Sequence, residues 1–337
     1  MATSAQLKAL FESYAENDDE RFFTCAMQVA AHEARSGHGK LAKELRDIID
    51  AAKSKNEKIS TFQAPLPIVK PKGELSALLS AFYPKVRITE MILDSDIADR
   101  LNRIIKEQRQ AAVIQKHGLS PRRKFLLLGP PGTGKTMTAS ALAGELNLPL
   151  FVIRLDGVIT KFMGETSAKL RLVFDAINQH RGIYLFDEFD SIGTMRSAIN
   201  DVGEIRRILN SFLQFIDQDK SNSMILAATN HPDILDYALF RRFDDVIEYN
   251  LPERDCRQKL LQDKLSGFCD AETNWKKLSE ESEELSYAEI SRACEDSLKD
   301  TIINDKGTIS QNTIIQMLKE RKEYHQKIFK NAYQYKK

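Results

Sequence analysis

The run Gly129-Pro130-Pro131-Gly132-Thr133-Gly134-Lys135-Thr136 follows the apolar stretch Phe125–Leu128 directly and leads into a helix-compatible segment, Met137–Leu146. Its spacing is GxxxxGK[ST] in the context that pattern requires, a strand before and a helix after. Glycines let the backbone curl until successive N–H groups point at phosphate oxygens, and the helix N-terminus adds a favourable dipole. Lys135 is placed to neutralise the β- and γ-phosphates of ATP, and the Thr136 hydroxyl to ligate Mg²⁺. Met137, next in the chain, completes the set expected to touch the nucleotide. A second element is Gly182–Glu188, an apolar strand ending in two adjacent carboxylates. At the carboxyl end of a parallel strand these face the nucleotide crevice. Asp187 is placed to hold Mg²⁺ through water, and Glu188 to orient and deprotonate the water that attacks the γ-phosphate. Carboxylates after a strand are common on protein surfaces. Beside a phosphate loop they read as a Walker B element.

Short apolar runs position these residues: Phe125–Leu128, Leu150–Leu155, Ile183–Phe186, Met224–Ala228 and Val246–Tyr249, alternating with longer amphipathic stretches. Continuous rather than alternating apolarity marks strands buried on both faces. The expected fold class is therefore α/β, a P-loop NTPase with a doubly wound, parallel, five-stranded sheet. Ahead of it, Asp94–Gln110 has helical periodicity through Ile97, Leu101, Ile104 and Ile105. After Pro252 only helices are expected, among them Tyr287–Ile303 and Gln311–Phe329.

The first fifty or so residues read as a small helical hairpin. Phe22, Ala26, Val29 and Ala30 form one apolar stripe and Leu41, Leu45, Ile48 and Ala52 another, with a turn at Ser36–Gly39 between them. From Asn56 to Gly73 the prolines 65, 67 and 71 break periodicity, which marks a linker. The expected domains are thus 1–55, N-terminal helical; 56–73, linker; 74–252, α/β ATPase; and 253–337, helical with a C-terminal tail.

Composition sets outer bounds. The chain has 337 residues, 42% hydrophobic, with 49 Lys+Arg against 48 Asp+Glu and a formal charge of +1. Such balance disfavours a generic polyelectrolyte binder of nucleic acid or acidic membrane. No apolar run approaches the roughly 18–20 residues of a membrane helix, and the N-terminus lacks the apolar core of a signal peptide. A soluble, cytoplasmic protein with no membrane partner is expected. The four cysteines form no CxxC pair, and His32 and His38 lack HExxH spacing, so neither a zinc ribbon nor a zinc helix is expected.

The stretch from about Lys124 to Pro252 resembles the AAA+ ATPase module, in the AAA clade that includes spastin, katanin and the membrane-bound AAA proteases. After the phosphate loop, Lys161-Phe162-Met163-Gly164-Glu165 is similar to the aromatic-hydrophobic-Gly pore loop of that clade. Walker B continues as Phe189-Asp190-Ser191-Ile192-Gly193, and Ala227-Ala228-Thr229-Asn230 ends the next strand at the sensor-1 position. Leu239-Phe240-Arg241-Arg242-Phe243-Asp244 resembles the arginine-finger segment, and the helices after Pro252 resemble the family's lid.

The resemblance implies a homo-oligomeric ring, usually of six subunits, with ATP and Mg²⁺ at each interface. Asn230 would polarise the attacking water, while Arg241 and Arg242 would reach into a neighbouring subunit's site. Because the two arginines are adjacent, which is the principal finger stays open. Lys161, Phe162 and Met163 would line a central pore that grips an extended protein substrate. Glu289 occupies the place where some clades carry a sensor-2 arginine, so none is expected. The helical N-terminal unit resembles appendages on small bacterial members, which implies a separate partner such as a subtilisin-like protease. The leading reading is an ATP-driven protein remodeller. A nucleic-acid motor or helicase loader of the same superfamily, and a nucleotide-gated scaffold, are the alternatives.

Overall fold

The computed structural model describes residues 73–158, 163–190, 202–234, 237–269, 273–304 and 307–334, with Pro71 and a few positions before it. The chain divides into two units, Met1–Ile68 and Val69–Lys337. In the first, the described positions Ala26, Met27, Val29, Ala30, Ala42, Lys43 and Ile49 are helical. The rest of the expected hairpin, His32 and His38, and almost all of the Asn56–Gly73 linker lie outside the described residues.

The second unit begins with a short helix, α1 (Leu75–Leu78), that runs straight into a strand, β1 (Leu79–Phe82). Helices α2 (Ser95–Arg109) and α3 (Ala111–Lys116) follow, then β2 (Lys124–Leu128), α4 (Lys135–Leu146) and β3 (Leu150–Ile153). Next come α5 (Leu155–Val158), α6 (Met163–Gln179), β4 (Ile183–Phe186), α7 (Val202–Gln218) and β5 (Met224–Thr229). The α/β part closes with α8 (Tyr237–Phe240) and β6 (Asp245–Glu248).

The six strands lie in the order β1-β3-β4-β5-β2-β6. The five parallel strands read from the sequence are all present, and β1 adds a sixth, antiparallel to β3 at the edge, with Leu79 opposite Ile153. Four residues following a helix carry no periodicity of their own, so β1 exists because β3 offers it an edge. The expected run Leu150–Leu155 also ends earlier, since Leu155 already opens α5.

Burial on both faces is what drives the sheet. Leu126, Leu128, Tyr184, Phe186, Ile225 and Ala227 belong to one core, with Phe174 of α6 and Phe212 of α7. Phe125, Leu127, Ile183, Leu185, Met224 and Leu226 belong to the other, with Leu101 and Ile104 of α2 and Leu142 of α4. Alternate residues of each strand thus feed opposite layers, as the pleat requires. On the first face Phe186 meets Phe212 edge-on, with ring centroids 5.0 Å apart.

Beyond β6 come the helices α9 (Arg254–Leu265), α10 (Trp275–Glu281), α11 (Tyr287–Ile303) and α12 (Gln311–Gln334). Helix α12 runs further than the expected Gln311–Phe329. Their own core gathers Leu261, Leu265, Leu278, Ile290, Cys294 and Leu318. Among the described residues no helix is long and apolar enough to cross a membrane.

Leu226, fully buried in the central strand β5, tests this layering. Leu226→Ala is expected to cost about 2–5 kcal/mol, read as a lowered urea midpoint at unchanged slope.

Candidate functional site

The loop Gly129–Gly134 joins β2 to α4, and three of its glycines have positive φ: Gly129 (140°), Gly132 (77°) and Gly134 (103°). At two of them close approach also excludes a side chain. A Cβ on Gly129 would overlap the Tyr249 carbonyl just past β6, and one on Gly132 would lie 2.6 Å from Ser286 Oγ. The loop is thereby seated between the end of the sheet and the start of α11, where Ala288 N donates to the Gly132 carbonyl at 3.1 Å. Beneath it the Tyr249 and Thr138 hydroxyls meet at 2.7 Å. Burial pushes the Tyr249 phenol up to about 12, with the Thr138 contact opposing.

Gly134 precedes the first turn of α4, whose leading N–H groups have no intrahelical acceptor. Thr133 Oγ1 donates to the Pro130 carbonyl at 2.8 Å and braces the turn. Lys135 is buried, and its Nζ donates to the Gly129 and Pro130 carbonyls at 2.7 Å each. Burial lowers the ammonium's pKa from its usual range, and the nearby carboxylates of Asp187 and Asp190 oppose that shift. A desolvated ammonium held on neutral carbonyls gains strongly when an anion replaces them.

Strand β4 delivers the carboxylates. Asp187 Oδ2 accepts from Thr136 Oγ1 at 2.8 Å, and its Oδ1 accepts from Glu188 N at 3.0 Å. Glu188 is exposed and takes φ +49°, left-handed geometry that a non-glycine side chain seldom adopts. Such geometry costs on the order of 1–3 kcal/mol and clusters at functional sites. Two residues on, buried Asp190 accepts from Thr229 Oγ1 at 2.9 Å and from Asn230 N at 3.2 Å. Phe189 N reaches the Ala228 carbonyl at 2.8 Å. The tip of β5, carrying Asn230, is thus tied to the turn after β4.

A cavity of about 480 Å³ opens among these groups. Pro131 to Met137, Asp187, Glu188 and Asn230 line it; Gly129 and Pro130 do not, and bear on it only through the carbonyls that hold Lys135. Sequence reasoning missed the rest of the lining. Part is Glu90–Leu93, ahead of α2, and part is Leu260, Asp263 and Lys264 of α9 with Tyr287, Ala288 and Ser291 of α11. The only trace of the first group is the apolar triplet Met91-Ile92-Leu93, which looks like ordinary core. Apolar walls opposite a phosphate loop suit a planar base at one end and phosphates at the other. Thr136 and Asp187 present hard oxygen donors side by side, the kind Mg²⁺ takes.

The position compared with sensor 2 has another use. Ser286 N and Oγ both donate to Glu289 Oε2 at 2.8 Å, closing a capping box at the start of α11. Arg241 is exposed, and Arg242 Nε donates to Asp217 Oδ2 of α7 at 2.7 Å. Neither arginine lines the cavity. Lys161, Phe162 and Ser191–Gly193 lie outside the described residues. Met163 begins α6, but its side chain is likewise outside them.

Residues 125–251 match the family model described as "ATPase family associated with various cellular activities (AAA)". An uncharacterized AAA family ATPase, y4kL, of Sinorhizobium fredii is 32% identical over 324 residues, 95% of this chain and 96% of that protein. The ATP-dependent zinc metalloprotease FtsH of Rickettsia bellii is 36% identical over 55% of this chain and 30% of its own length. The proteasome-activating nucleotidase of Methanothermobacter thermautotrophicus is 38% identical over 49% of this chain and 42% of its own. The chain therefore spans less than half of those two longer relatives. The crystal structure of the FIGL-1 AAA domain superposes with a TM-score of 0.58 at 23% identity, covering 72% of this chain and 85% of that one, a likeness of fold.

Lys135→Ala removes one charge-assisted contact to phosphate, worth about 1.5–3 kcal/mol. The expected result is ATP affinity lowered by roughly ten- to a hundredfold in a fluorescent-nucleotide titration, with a cooperative melt retained.

Proposed function

The chain belongs to the AAA family of ATPases, in the AAA clade, and on that premise we propose that it works as a homo-oligomeric ring of six that remodels or unfolds proteins. One observation carries the catalytic part of the reading. A buried ammonium, a hydroxyl–carboxylate pair, a strained Glu188 and a tethered Asn230, drawn from three neighbouring strands, border a single cavity.

ATP is the substrate. The loop N–H groups and Lys135 hold its phosphates, exchanging the Gly129 and Pro130 carbonyls for phosphate oxygens. Met91, Ile92 and Leu260 shelter the base. Thr136 and Asp187 would hold Mg²⁺, which would supply neutralisation of the phosphate charge. Glu188 takes a proton from the attacking water as its oxygen bonds to the γ-phosphorus and the bond to the β,γ-bridging oxygen breaks. ADP and phosphate leave. Asn230 orients that water.

Arg241 and Arg242 fall outside their own chain's cavity, which supports their service to a neighbouring subunit. A guanidinium supplied in trans is worth about 10³–10⁵ in rate in related phosphoryl transfers. Lys161, Phe162 and Met163 form the pore loop, where an aromatic ring grips a threaded chain by sequence-tolerant packing. Residues 1–55 dock a partner, 56–73 tether them, and 253–337 form the lid and tail. The names of the metalloprotease and of the proteasome-activating nucleotidase tie similar modules to proteolysis, which supports a protein substrate and a separate protease partner. Near-equal counts of cationic and anionic residues weigh against a nucleic-acid motor.

Glu188→Gln is expected to keep ATP affinity and lower turnover about 10²–10⁴-fold. With ATP it should run as a ring in light scattering and retain a permanently unfolded protein. A monomer in ATP, or retention of single-stranded DNA instead, overturns the reading. Subunit sharing has its own check. A chain carrying both Arg241→Ala and Arg242→Ala, mixed with a Lys135→Ala chain, should recover ATPase activity that neither has alone. Failure to recover any, with mixed rings demonstrated, places the arginines outside the shared site.

A further inference from the structure

A second cavity, of about 420 Å³, lies at the opposite end of the sheet. Its lining includes Arg123, Arg181 and Lys220, with Ser120, Ser221 and Asn222, and no carboxylate residue is among the lining residues. The placement is topological. Arg123 precedes β2, Arg181 stands two residues before β4, and Lys220 sits on the turn into β5. These strands are consecutive in the sheet, and their far ends, roughly 13–20 Å away at about 3.3 Å per residue, carry the phosphate loop, Asp187 and Asn230. The cavity is therefore separate from the nucleotide site.

Charge accounting sets the valence of what would fit. Arg123 pairs with Asp219 through its side chain and also donates to the Asp219 carbonyl, so its charge is compensated. Neither Arg181 nor Lys220 has a carboxylate partner among the described residues, and two positive charges remain. Arg181 Nε is buried with no hydrogen-bond partner at all, a condition native proteins seldom leave standing. The Ser221 hydroxyl accepts from Ser223 N at 3.2 Å, which leaves its own O–H available to donate. Gln108, also on the wall, directs its Nε2 to the Arg122 carbonyl at 2.6 Å and helps hold the segment before β2.

We propose that this cavity is a second anion site that binds a phosphate-bearing small solute, with Arg181 and Lys220 as its charged ligands. A guanidinium offers paired N–H donors to adjacent phosphate oxygens, and an ammonium supplies a point charge. An acceptor drawn against Arg181 also provides a partner for Nε. Two uncompensated cations call for a dianion rather than a single carboxylate. The site stands whether or not the chain forms a ring.

The test is calorimetric titration of inorganic pyrophosphate into the full chain without nucleotide, where the phosphate loop supplies one binding event and this cavity a second. The second event is expected to weaken at least tenfold in Lys220→Gln and in Arg181→Gln, with the phosphate-loop event retained in both. Lys220 is exposed, so its variant keeps the test decisive should Arg181→Gln fold poorly. Affinity should also fall steeply as salt is raised. Absence of binding, or binding in which no event weakens in Lys220→Gln, overturns the proposal. Citrate binding as tightly as pyrophosphate overturns it as well, because the site would then recognise carboxylates.

Discussion

Strands β4, β5 and β2 have no polar face. With apolar layers on both sides, they offer charged groups nowhere to go except the strand ends, since an unpaired charge inside either layer would face a heavy desolvation penalty. Parallel pairing then aligns like ends with like ends. Every carboxyl terminus among the three comes out at one edge of the sheet, where the phosphate loop, Asp187 and Asn230 meet. The cations before the same strands collect at the other edge for the same reason. Among the described residues of these three strands, the charged groups gather at two rims with dry layers between them.

Within the upper rim the groups restrain one another. Asp187 spends one oxygen on Thr136 and the other on the Glu188 amide, so the Walker carboxylate is oriented before any ligand arrives. Glu188 holds left-handed backbone that the Asp187 contact and the anchored Phe189 amide help to impose. Asp190 in turn ties the end of β5, so a shift at Asn230 is felt at the turn bearing Glu188. Pre-positioning of this sort spares reorganisation at the moment of reaction.

The helices after β6 meet the phosphate loop at a tight spot. Gly132 lacks the Cβ that would strike Ser286, and its carbonyl takes the Ala288 amide. The phosphate loop and the start of α11 therefore share a hydrogen bond. The Ser286–Glu289 box keeps the start of that helix defined, which makes the contact reproducible.

Local residue order by itself determined the phosphate loop, the paired carboxylates and the five parallel strands, because each is written in contiguous residues: glycine spacing, or an apolar run too continuous for a one-faced strand. Tertiary structure alone decided the rest. Strand β1 depends on a free edge of β3, and the wall from Met91 to Leu93 with Leu260 and Tyr287 joins segments nearly two hundred residues apart. The tether from Asp190 to Asn230, the pairing of Arg242 with Asp217 and the lone Nε of Arg181 belong to the same class. Such features are relations between distant side chains, set by which strands lie side by side. Strand adjacency follows from the packing of whole layers, a property that no short window of residues contains.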